Sequence, residues 1–178
     1  MVHKVVRLGV QTVRFGVRGD PKRIKRLVGE TKHCLDNELD PNRFAMSEND
    51  PEPWRSRKGI TSWPEDDKQF ELFAVSFDTN LPDYTALLKE ANSLSADYQS
   101  GGFCHLAAHF SVEKMDAMYG QGISYIETTD EDSLWRSDDG CLYAPELLCT
   151  PTCRSIGACW VGYDRPAGSW FLFYREYE

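Results

Sequence analysis

FELFAVSF, residues 70–77, is apolar on both alternating faces apart from Glu71. A half-exposed strand alternates apolar and polar side chains, so a run apolar on both sides predicts a strand covered from both faces in the interior of a sheet. The period then changes. Leu81-Pro82-Asp83 offers a helix start, and Tyr84, Leu87, Leu88, Ala91, Leu94 and Tyr98 recur at three- and four-residue spacing, giving an amphipathic helix ended by Gly101-Gly102.

Upstream, Val5 to Val17 is extended, but its apolar side switches. Val6, Leu8 and Val10 share one side, whereas Val13, Phe15 and Val17 share the other, so a bulge near Gly9 to Thr12 or a break is required. Asp20-Pro21 caps and starts a helix in which Ile24, Leu27, Val28, Thr31 and Leu35 form the apolar stripe. Residues 37–67 are polar, contain Pro41, Pro51, Pro53 and Pro64, and are expected to form one long loop.

Downstream, FCHLAAHF at 103–110 satisfies both periods. The strand reading, with Cys104, Leu106, Ala108 and Phe110 inward, is preferred over the start of a helix. Ser111 caps a short helix over Val112 to Tyr119, Gly120 and Gly122 turn the chain, and Ile123 to Thr128 forms a strand. Residues 130–139 read as an acidic loop. Strands near Ser155–Tyr163 and Ser169–Tyr177 are joined as a hairpin by Asp164-Arg-Pro-Ala-Gly168. This order predicts one α+β domain over 1–178, with a mixed or mainly antiparallel sheet and two or three helices chiefly on one face. No Gly-rich phosphate turn follows the first strand, which argues against a doubly wound parallel sheet.

The chain has 178 residues and is 41% hydrophobic and 27% charged, within the range of ordinary globular domains. Its apolar runs are too short to span a bilayer, and no signal peptide is expected, which together point to the cytoplasm. The six cysteines are read as reduced thiols. Charge is segregated: residues 1–32 carry a net +7 in a chain of net charge −8, leaving −15 on the remainder.

Chemical signals are sparse. His105 and His109 are the candidate catalytic residues; at helical spacing they share a face with Glu113 one turn on, but on a strand they stand about 13 Å apart. His109-Phe-Ser111 supplies one His-x-Ser unit of a phosphoesterase pattern that needs two. Cys141, Cys149, Cys153 and Cys159 are poorly spaced for zinc. Cys104 or Cys149 could meet His109 or His33 only in three dimensions. The acidic clusters lack the alternation of a calcium loop. No metal and no cofactor is expected.

Binding is therefore the favoured function: a small factor of inhibitor, immunity or viral accessory type that engages a macromolecular partner, most naturally a protein. Trp54, Arg55, Arg57 and Trp63 in the long loop are the interface candidates, because Trp and Arg concentrate at hot spots. Lys22, Arg23, Lys25 and Arg26 on the first helix are the anion-binding candidates. Two alternatives remain open: a hydrolase or transferase acting on a phosphate-bearing substrate, with His105 or His109 as base and Arg23 or Arg26 holding the anion, and nucleic-acid binding through the basic helix.

Overall fold

The computed structural model describes residues 3–13, 64, 66–136, 140–151 and 153–178. The expected basic helix and the expected loop, apart from Pro64, Asp66 and Asp67, lie outside these residues, and with them Lys22, Arg23, Lys25, Arg26, Trp54, Arg55, Arg57 and Trp63.

In chain order the described elements are β1 (His3–Val13), β2 (Lys68–Phe77), α1 (Tyr84–Ser93), β3 (Gln99–Ser100), α2 (Phe103–His109), α3 (Val112–Gly120), β4 (Tyr125–Thr128), a 3-10 turn (Glu131–Ser133), β5 (Trp135–Arg136), β6 (Leu142–Thr150), β7 (Cys153–Trp160) and β8 (Trp170–Glu176). The strands form one sheet in the order β1-β2-β8-β4-β6-β5, with β3 beside β8 and β7 beside β6. Its ladders are antiparallel except for β4 with β8, so the fold is α+β with a mixed, mainly antiparallel sheet.

Strand β2 lies between β1 and β8, as its two apolar faces predict. Phe70, Leu72 and Ala74 point into a core with Phe103 and Leu106 of α2 and Met115 and Met118 of α3. Phe73, Val75 and Phe77 point into a second core with Tyr84, Leu87 and Ala91 of α1. Of the described helices, two thus cover one face and one covers the other.

The switch of apolar side in β1 is resolved by a bulge. The register slips between Arg7 and Gly9, and Gly9 takes φ +98°, a conformation that costs glycine little. The extra residue, Leu8, inverts the alternation, so that Val6 before it and Val13 after it reach the same core, against which Leu8 also packs.

Three expectations need correction. Residues 103–109 are helical rather than extended: Gly102 is the N-cap, Phe103 N–H donates to Ser133 Oγ (2.8 Å), and Nδ1 of His105 accepts from Gly102 N–H (3.0 Å) in place of the usual capping-box carboxylate. The helix begun at Asp83 stops at Ser93, short of Gly101. Ser93 Oγ turns back to the Glu90 carbonyl (2.6 Å), and Gln99–Ser100 pairs with β8 instead. The 164–168 segment joins β7 to β8 without pairing them: β7 hydrogen-bonds to β6, whereas β8 crosses to lie between β2 and β4.

Gly101 marks where the two halves press together. A Cβ there would lie 2.7 Å from the Leu172 carbonyl oxygen, itself the acceptor of the Gly101 N–H. Gly101→Ala is expected to destabilise by about 1–3 kcal/mol, read as a lowered urea midpoint at unchanged slope.

Candidate functional site

The turn that leaves β7 presents Trp160 and Tyr163 to solvent, 39% and 60% exposed, whereas most of the described large apolar side chains are buried. Their rings meet edge to face at 5.3 Å, a favoured aromatic geometry. Gly162 makes this possible, because a Cβ at that position would lie 2.5 Å from the Trp160 ring.

What holds the turn is beneath it. Arg165 is 2% exposed and aims its guanidinium back at the turn's own carbonyls. Nη2 donates to Trp160 O (3.2 Å), while Nη1 donates to Val161 O (3.2 Å) and to Tyr163 O. The backbone of Arg165 bridges to Leu81 in both directions, and Tyr84 N–H donates to Val161 O (2.9 Å), tying the turn to the start of α1.

A guanidinium inside a protein needs an anion. Glu127 of β4, 1% exposed, supplies it in a fork: Nε to Oε2 at 3.1 Å and Nη2 to Oε1 at 2.6 Å. Burial pushes the Glu127 carboxyl up and the two bonds from Arg165 pull it back; the same pairing holds the guanidinium firmly charged. The Tyr84 ring faces the guanidinium at 5.4 Å.

Glu146 of β6 stands opposite Glu127 in the ladder. Burial, then repulsion from Glu127, pushes it up to about 8, against a smaller downward pull from Arg165, so it carries its proton at neutral pH. Cys159 beside the cluster is pushed to about 12 by burial and by the two carboxyl groups, so it is a thiol and a poor nucleophile.

No protein-family model, curated protein or solved structure matches the chain.

The histidines are one helical turn apart on α2, and both are buried. Nδ1 of His105 accepts from Gly102 and lies 3.5 Å from Cys104 Sγ, and its ring stacks on Tyr174 at 4.0 Å. Burial lowers His105 to about 3 and, together with repulsion from nearby Asp130, raises Cys104 to about 12, so the two do not form a thiolate–imidazolium pair. His109, 2% exposed, is lowered to about 4 by burial and by Lys114. Among the described residues no three His, Cys, Asp or Glu side chains gather to hold a metal. Cys149 and Cys159 are separated by five ladder positions, roughly 17 Å, and face opposite cores, because Cys159 is paired with Ala144.

The sequence reading missed Glu127, Glu146, Arg165, Trp160 and Tyr163. A signal was present: Glu127 and Glu146 are lone carboxylates within the apolar runs YIET and APELLC, and a charge on a covered strand demands a partner.

Proposed function

We propose that this protein acts by binding a protein partner through the Trp160–Tyr163 turn. The observation that carries this reading is the exposed aromatic pair fixed from below by Arg165, since a rigid aromatic anchor loses little freedom on binding and so favours affinity. The excess negative charge beyond residue 32 suits a partner with a basic surface around an apolar pocket. The thiols of Cys104, Cys149 and Cys159 suit a reducing compartment such as the cytoplasm. No helix among the described residues is long and apolar enough to cross a membrane. The phosphate-substrate enzyme reading has less support, because His105 and His109 are both buried and neutral.

The test is an affinity isolation from extract of the native host with the intact chain and with the Trp160→Ala, Tyr163→Ala double variant. A stoichiometric partner should be recovered with the intact chain and its affinity should fall at least about 30-fold in the variant, whose circular dichroism should be unchanged. Retention of the partner at full affinity by a folded variant would place the interface elsewhere.

A further inference from the structure

A cleft of about 380 Å³ opens beside the second half of α1, between that helix and the segment that leaves β4. Its size is that of pockets which take a small ligand or a large side chain. Its charge is one-sided. Leu88, Ala91 and Tyr98 supply apolar wall, Asp130 and Glu131 supply two carboxylates, and no Lys, Arg or His is among the described residues that line it. Asp130 is half-buried, and its Oδ1 accepts from Asp132 N–H (3.1 Å) and its Oδ2 from Ser133 Oγ (3.1 Å). These bonds hold the carboxylate in place, and each oxygen keeps a lone pair for a further donor. Burial, with repulsion from Asp132 and Glu131, pushes the Asp130 carboxyl above its ordinary range in spite of those two bonds. A cation brought beside it is therefore favoured.

The cleft is also within reach of the aromatic turn. Tyr84 N–H donates to Val161 O, so the turn sits at the start of α1, and Tyr84, Leu88 and Ala91 follow one another along a single stripe of that helix. At the helical rise, Leu88 and Ala91 lie roughly 6 and 10 Å along the axis from Tyr84. We infer that this cleft receives a lysine or arginine side chain of the protein partner, with the alkyl stem on Leu88 and Tyr98 and the cationic head against Asp130 and Glu131. Such docking rests on the partner binding proposed for the Trp160–Tyr163 turn, and an extended segment that leaves the turn spans the distance in about three residues. Charge complementarity selects the occupant, because the two carboxylates repel an anion and leave a neutral side chain no charge to meet. Arg175 lies over the Tyr98 ring at 4.5 Å and donates to Asp97 O (2.7 Å); this fixed cation opposes an incoming one and limits the affinity.

The probe is N-acetylarginine amide, a single cation, titrated into the full-length ¹⁵N-labelled chain while backbone amides are followed by NMR. Those of Ser95, Gln99, Ser100 and Glu131, which line the cleft, should move saturably with a dissociation constant in the millimolar range or tighter, while the Trp160 indole resonance stays in place. N-acetylcitrulline amide, the uncharged isostere, should bind at least about fivefold more weakly. The double variant Asp130→Asn, Glu131→Gln should weaken the arginine probe at least about fivefold, with unmoved amides in the β2–β8 ladder reporting an intact fold. Absence of a saturable shift at the cleft, equal binding of the citrulline amide, or undiminished binding by the folded double variant would overturn the assignment. So would concentration-dependent shifts of the same amides without probe, which would seat a second copy of the chain there. The titration contains no partner, so its failure removes the cleft and leaves the turn standing, whereas a failed isolation leaves the titration result unchanged.

Discussion

Arg165→Met is expected to lower the unfolding free energy by about 3–5 kcal/mol, among the largest losses available to a single residue in this chain. The change leaves the Glu127 carboxylate, 1% exposed, without its counter-charge, and it strips three carbonyls of the 160–163 turn of a donor. Glu127→Leu should also be costly, because it leaves the guanidinium buried without an anion. Losing both is a different matter. In the Glu127→Leu, Arg165→Met double variant neither member of the pair is left as an uncompensated charge, and about 1–4 kcal/mol of the single-variant losses should return. Urea unfolding of the four proteins in a cycle measures this coupling. Additive losses with no recovery would mean that the pair is not the unit that supports the turn. The Arg165→Met protein should also lose partner affinity beyond its loss of stability, because the turn is no longer preorganised.

The second large effect is on pH. His105 and His109 titrate near 3 and 4 in the native state against 6.5 ordinarily, so below about pH 6.5 the unfolded chain takes up protons that the native chain refuses, and stability falls as pH falls. Glu146 works in the opposite sense. Its native value of about 8 against 4.5 ordinarily means that the native state keeps a proton the unfolded chain has released, and stability falls as pH rises through that window. Asp130 and Glu127, both raised by burial, add to the Glu146 trend. Each tenfold difference in proton affinity between the folded and unfolded chain is worth about 1.4 kcal/mol, and on the acid side two histidines outweigh the one Glu146. A stability maximum near pH 6–7 follows, with a net fall of about 2–3 kcal/mol by pH 4.5. Glu146→Gln should flatten the limb between about pH 6.5 and 8 and steepen the acid limb, where Glu146 no longer offsets the histidines. Denaturant midpoints taken across pH 4.5 to 8.5 would show both limbs; an alkaline limb unchanged in the variant would contradict the assignment to Glu146.

What the sequence revealed, and what it did not, divides by range. The bulge in β1 was legible because an inverted alternation from Val6 and Leu8 to Val13 has few other causes, and Gly9 offers the left-handed conformation. The start of α1 was legible because Asp83 caps it within three residues: Ala86 N–H donates to the Asp83 carboxylate at 2.8 Å. FCHLAAHF was not, because its local pattern fits both periods and a residue 30 positions away, Ser133, helps fix the helix start. The Arg165–Glu127 pair spans 38 residues, and nothing local to either partner names the other. The path of β8 between β2 and β4 is likewise a matter of long-range pairing, whereas a short linker such as 164–168 ordinarily joins adjacent strands.

The most direct test of the interface is photo-crosslinking from two exposed positions, one at a time, in extract of the native host. Benzoylphenylalanine replaces Tyr163 on the turn or Tyr177 beyond the far end of β8, 60% and 49% exposed respectively. A discrete crosslinked partner from position 163 and none from position 177 is the result expected if the Trp160–Tyr163 turn is the binding site; a partner captured from position 177 alone would contradict it.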